Sequence, residues 1–107
     1  MSERIETTAI RNLIHNEEYC RKVLPFIKEE YFTDRLEKLL FTEIYKFVNK
    51  YNNLPTKESL SIEMNTNKSI NEDEYQKMNE IISSLNPEPI NLDWLVETTE
   101  VWCKDRA

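Results

Sequence analysis

The stretch DRLEKLLFTEIYKFVNKY, residues 34–51, decides the fold. It holds neither glycine nor proline, and its apolar residues recur at helical spacing: Leu36, Leu39, Leu40, Phe41, Ile44, Phe47, Val48 and Tyr51. At about 100° per residue these positions cover more than half of a helix circumference. A helix apolar over that arc is predicted to be central and packed on several sides. Lys38, Thr42, Lys46, Asn49 and Lys50 are left on its polar arc. Asp34 followed by Glu37 has the spacing of a capping box, in which each side chain closes a free backbone N–H of the first turn. Just upstream, residues 28–32 are expected to form one short helical turn, with Tyr31 and Phe32 anchoring the approach to the long helix.

Helices are predicted on both sides of this one. A first runs from about Ser2, its N-cap, to His15, with Ile5, Ala9, Leu13, Ile10 and Ile14 facing inward. A second, residues 16–24, carries Tyr19, Cys20, Val23 and Leu24 and is stopped by Pro25. Downstream, Pro55 biases Leu54 to an extended conformation, and Thr56 can cap a short fourth helix from Lys57 to Met64. Residues 65–70 read as a polar loop. Asn71, with Glu74 at the reciprocal position, caps a fifth helix whose stripe is Tyr75, Met78, Ile81, Ile82 and Leu85. The run Asn86-Pro87-Glu88-Pro89 breaks the chain. A last helix then runs from near Asn91 to the final residue, with Leu92, Leu95, Val96, Thr99, Trp102 and Cys103 on one face. It ends without a capping signal, so a longer parent protein is expected. The fold class is therefore all-α: one compact domain of about six helices, residues 1–107, with Leu40, Ile44, Phe47, Tyr75, Ile81 and Trp102 in the core.

Composition excludes whole classes of function. The chain has no glycine. A P-loop, a dinucleotide-binding turn and an EF-hand all need glycine where backbone must approach a ligand or turn sharply. Asparagine, which tolerates the left-handed conformation, must therefore close helix ends, and Asn16, Asn52, Asn53, Asn65, Asn67 and Asn86 sit at predicted boundaries. The net charge of −6 argues against a free-standing nucleic-acid binder, whose affinity comes mostly from neutralising phosphates. No apolar run can span a bilayer, and the first residues, MSERIETTAI, lack the apolar segment of a secretory signal. Cys20 and Cys103 are expected to be reduced thiols, without the spacing of a zinc site.

Few residues carry chemistry. Glu29 and Glu30 are neighbours, so on a helical turn they point about 100° apart and read as a solvated edge rather than a catalytic pair. His15 is expected to serve the negative end of the first helix rather than to activate Cys20, because nothing around the pair supplies an oxyanion site. Glu72, Asp73 and Glu74 suit the positive end of the fifth helix. Lys38, Lys46 and Lys50 are candidates for a weak DNA-facing stripe, set against a solvated face that Glu43 partly neutralises. Trp94 and Val101 are seven residues apart and share a face of the last helix opposite its inward stripe. That face is either buried between layers or docks a partner.

Three segments carry a resemblance: IRNLIHNEEYCRKVLPFIKEEYF (10–32), KLLFTEIYKFVNKYNNLPTKESL (38–60) and DWLVETTEVWCKDRA (93–107). Their order and spacing resemble the N-terminal domain of DnaB-type replicative helicases, most closely the T-even phage type. At Glu37-Lys38-Leu39 the sequence departs from the bacterial pattern of His-Arg, with only Lys38 keeping the basic character. The resemblance implies a chain without a reaction or cofactor of its own. The motor, with nucleoside triphosphate and magnesium, would lie on an absent domain, and the last helix would stop short of a helical hairpin and linker. It also implies a hexameric ring of self-associated copies, docking of primase, contact with a helicase loader, and single-stranded DNA held mainly by the motor. The setting would be the cytoplasm of an infected bacterial host, with no membrane partner. Two rivals are a stand-alone acidic phage adaptor that binds a host or replication protein, and a small thiol enzyme built on Cys20 and His15.

Overall fold

The computed structural model describes residues 3–107, so the expected cap at Ser2 lies outside the described residues. It contains α1 (Ile5–His15), α2 (Glu17–Val23), α3 (Arg35–Tyr51), α4 (Lys57–Thr66), α5 (Glu72–Ser84) and α6 (Leu92–Arg106), with a single 3₁₀ turn at Glu29–Tyr31. Among the described residues there is no strand. The all-α architecture is the expected one.

Local chemistry explains where the helices begin. Asp34 accepts hydrogen bonds from the backbone N–H groups of Leu36 and Glu37, at 2.8 and 3.1 Å. Asn16, Asn71 and Asn91 do the same for α2, α5 and α6. Asn71 and Glu74 complete a reciprocal box, and so do Thr56 and Ser59 at α4, each closing two otherwise free groups. The expected box at Asp34 is only half made. Glu37 turns away from its own cap to accept from Arg4 Nη2 at 2.6 Å and from Thr7 Oγ1 at 2.9 Å, tying α3 to the start of α1.

Helix ends use asparagine in an unexpected proportion. Only Asn52, closing α3, is left-handed, with φ of 55°. Asn16 and Asn67 close α1 and α4 in extended conformations. Because an L-residue other than asparagine or glycine pays about 1–2 kcal/mol in the left-handed region, Asn52→Ala should lower stability by about 1 kcal/mol, whereas Asn52→Gly should not. Paired urea melts of the two variants check this.

The core is built around α3, which packs on α1, the 3₁₀ turn, α4 and α5 as expected, and around α1. Helix α1 is its most enclosed element: Ala9, Ile10, Leu13 and Ile14 are buried, together with the polar residues Glu6, Arg11 and Asn12. It packs on α2, α3 and α6, while α3 carries the 3₁₀ turn, α4 and α5. Polar residues on α1 survive burial because each is paired: Glu6 with Arg106 at 3.6 Å, Arg11 with Glu3, and Asn12 with the Thr8 carbonyl at 2.9 Å. Of the expected core residues, Leu40, Ile44 and Trp102 are buried, and Tyr75 and Ile81 are partly buried against the core. Phe47 is not a core residue: it is half-buried and packs against Tyr51, at 4.7 Å between ring centroids, on the rim of the molecule. Tyr51 is itself 46% exposed. The apolar arc of α3 is thus buried through its first half and emerges at its C-terminal end.

Two ion pairs make the fold acid-sensitive. The Arg35 guanidinium, 2.5 Å from Glu74, holds that carboxyl below its ordinary value of 4.5, and Arg11 does the same for Glu3. A carboxyl whose folded-state pKa is depressed contributes stability in full above its unfolded pKa and loses it as pH falls through the folded one. Melting temperature should therefore hold steady down to about pH 5 and fall progressively below it. Arg35→Gln should flatten the part of that fall due to Glu74.

Candidate interaction surfaces

The outward face of α6 carries two exposed apolar side chains, Trp94 and Val101. Asn91 caps the helix through the Trp94 N–H at 2.9 Å, which fixes Trp94 in the first turn. Seven residues on, Val101 lies about 10 Å further along the same face. Trp94 is 53% exposed and Val101 58% exposed, so neither is buried between layers. The opposite face holds Leu95, Thr99, Trp102 and Cys103 in the core. Its register is fixed by a buried relay: the Thr99 hydroxyl donates to the Leu95 carbonyl at 2.7 Å and accepts from the Tyr19 hydroxyl at 2.8 Å. Exposed Asp93, Glu97 and Glu100 flank the outward face. Phe26, 53% exposed, lines a separate shallow apolar cleft of about 340 Å³ with Glu100, Cys103 and Lys104. No periodicity marks Phe26, because it follows Pro25 in an irregular turn.

The lysines do not form the expected stripe. Lys46 and Lys50 share one cleft with Lys68, which arrives from the loop after α4. Lys38 is half-buried and lies elsewhere on α3; its carbonyl accepts from the Thr42 hydroxyl at 2.9 Å. Three and a third turns of helix carry Lys50 about 120° around the axis from Lys38, so the two do not face one ligand. Glu43 makes the expected i, i+3 contact with Lys46, at 3.3 Å, but from a buried position, 4% exposed, where it also accepts from Asn67 Nδ2 at 2.7 Å.

The remaining candidates have structural partners. Glu29 and Glu30 are exposed on the 3₁₀ turn, and the Thr42 hydroxyl lies 2.8 Å from Glu29 Oε2. Glu72 and Asp73 are exposed at the start of α5, where Asp73 pairs with Lys77 at 3.1 Å. His15 serves a helix end, but not its own: Nε2 donates to the Leu85 carbonyl, at the end of α5, at 2.6 Å. Cys20 is fully buried, and burial pushes its thiol up to about 11. A thiol so placed is protonated at neutral pH and is a poor nucleophile. Among the described residues, no three His, Cys, Asp or Glu side chains converge to hold a metal ion. Among the described residues, no helix is long and apolar enough to cross a membrane.

With the geometry in place, the chain can be compared with known proteins. No family model matches it. It is 34% identical over 98 residues, 92% of its length, to the DnaB-like replicative helicase of Enterobacteria phage T4. It spans 20% of the length of that relative. The similarity is thus to a helicase-related region, and it runs through nearly all of a six-helix domain.

Proposed function

We propose that this chain is the non-catalytic N-terminal module of a phage hexameric replicative DNA helicase, and that it contributes to ring assembly and docks primase. A single observation carries this function: 34% identity across 92% of the chain to a fifth of a phage replicative helicase. A glycine-free sequence cannot build a phosphate-cradling loop, which supports a reading in which nucleoside triphosphate, magnesium and strand translocation belong to another part of the parent protein. A helicase loader is a further partner of the same module. It acts in the cytoplasm of the infected bacterial host.

The outward face of α6 is the docking surface we assign to primase, because Trp94 and Val101 stand exposed on it and exposed aromatic anchors dominate interface energetics. Its acidic flank, Asp93, Glu97 and Glu100, suits a basic partner surface. Calorimetric titration with the primase encoded by the same phage tests the docking: a saturable complex is expected, and absence of heat and of co-elution at tens of micromolar would remove it. The helicase assignment has its own test in the coding sequence after Ala107. A P-loop there is expected, whereas a stop codon would leave a stand-alone adaptor instead.

A further inference from the structure

We propose that the cleft between the C-terminal ends of α3 and α4 binds a short stretch of single-stranded nucleic acid, with phosphates held by Lys46, Lys50 and Lys68 and a base stacked on Tyr51. The cleft has a volume of about 380 Å³ and is open to solvent along one side. That is enough for an unpaired nucleotide, since small-ligand sites begin at about 300 Å³. The proposal stands on the cleft alone and does not use the helicase similarity.

Two features distinguish the cleft from an ordinary solvated face. First, Lys46 and Lys50 from α3 are joined in lining the cleft by Lys68 from the loop after α4. Lys46 is held by Glu43, which Asn67 also engages. Among the described residues, neither Lys50 nor Lys68 has a carboxylate within salt-bridge distance. Second, aromatic surface lies between the charges. Phe47 packs against Tyr51, and the Lys50 ammonium sits 5.3 Å from the Tyr51 ring centroid. Phe47 and Tyr51 lie on the apolar arc of α3, yet the fold leaves them at the rim rather than in the core. Lysines around an exposed ring match a ligand that alternates phosphate with a π-face, as an unpaired strand does. A carboxylate-rich peptide would use the cations and leave the ring unoccupied.

The same cleft limits the affinity. Glu43 and Glu63 line it, and both helices present their C-terminal, negative ends there. Binding should therefore be weak and strongly salt-dependent. Three phosphate contacts on a single strand give a slope of about −2 in log K against log salt.

Fluorescence anisotropy with a labelled twelve-residue oligothymidylate tests the proposal on the 107-residue chain, from low salt upward. Binding at low salt with that slope is expected. Lys50→Glu with Lys68→Glu should lose at least tenfold, and Tyr51→Ala about fivefold or more. Lys28→Glu with Lys38→Glu, the same change in charge elsewhere, should lose much less. Circular dichroism melts establish that each variant is folded, and Lys50→Gln with Lys68→Gln replaces the first pair if it is not. No binding at low salt overturns the proposal, and so do equal losses in the two glutamate pairs. Full competition by thymidine monophosphate at equal nucleotide concentration would reassign the cleft to a mononucleotide and overturn the strand.

Discussion

Phe32→Ala is expected to cost about 3–5 kcal/mol, the range for deleting a buried aromatic ring. Against a total stability of about 5–15 kcal/mol for a domain of this size, that brings the chain close to unfolding at room temperature. Phe32 is 1% exposed. Its ring stacks on Phe41 of α3 at 5.1 Å and meets the edge of Trp102 of α6 at the same distance. Tyr31 touches Trp102 from beside it at 6.2 Å. Phe32 thus joins α3 to α6 at the point where the irregular segment after α2 turns into α3. No small residue can collapse onto both neighbours at once, because they belong to different helices. Urea denaturation checks the result: the midpoint should fall with the slope unchanged. A loss below about 1.5 kcal/mol, the usual ceiling for a volume-conserving core swap, would mean that the aromatic cluster is peripheral to stability. Phe41→Leu, which keeps most of the volume, should cost far less than Phe32→Ala.

What could be read from the sequence was what depends on near neighbours. Asp34, Asn71 with Glu74, and Thr56 mark helix starts through hydrogen bonds spanning two or three residues, and all of them cap. The period of residues 34–51 gives a helix that ends at Tyr51, as expected. Tyr31 and Phe32 are buried, as their place before α3 suggested. Several misplaced features depend on partners distant in sequence. Glu37 leaves its cap because Arg4 and Thr7, at least 30 residues away, offer two donors. Glu43 is buried because Asn67, 24 residues on, arrives with an amide. His15 meets a carbonyl 70 residues away. Periodicity cannot report these contacts.

The enclosure of α1 has the same origin. Its sequence, IETTAIRNLIH, looks amphipathic and ordinary, and its threonines, arginine and asparagine suggest a wet face. Packing by α2, α3 and α6 buries the arginine and the asparagine and leaves the threonines partly exposed, which is tolerable only because each buried residue finds a partner. The candidate sites follow this rule too. Trp94 and Val101 were legible as one face because both lie on one regular helix. Lys68 and Phe26 were not, since each joins its cleft through an irregular segment whose path no local signal sets.

Trp94→Ala combined with Val101→Asp is expected to weaken primase binding by about 100-fold while leaving the melting temperature within a few degrees of the parent. The magnitude is that of one hot-spot anchor, about 2–4 kcal/mol, of which about 2.7 kcal/mol corresponds to 100-fold. The small effect on stability follows from exposure: both side chains are more than half exposed, and the Trp94 backbone N–H, not its ring, receives the Asn91 cap. An aspartate at 101 also extends the acidic run of Asp93, Glu97 and Glu100. Its effect therefore separates two attractions. If the partner is held mainly by apolar contact, Val101→Asp alone should weaken binding at every salt concentration. If long-range charge dominates, the added carboxylate should raise the association rate at low salt, and salt should erase the gain. Calorimetry at two ionic strengths, with stopped-flow association rates, resolves the two. A double variant that binds primase as tightly as the parent, with an unchanged circular dichroism spectrum, would remove the outward face of α6 as the docking surface. The helicase assignment would stand untouched, because it rests on the sequence match.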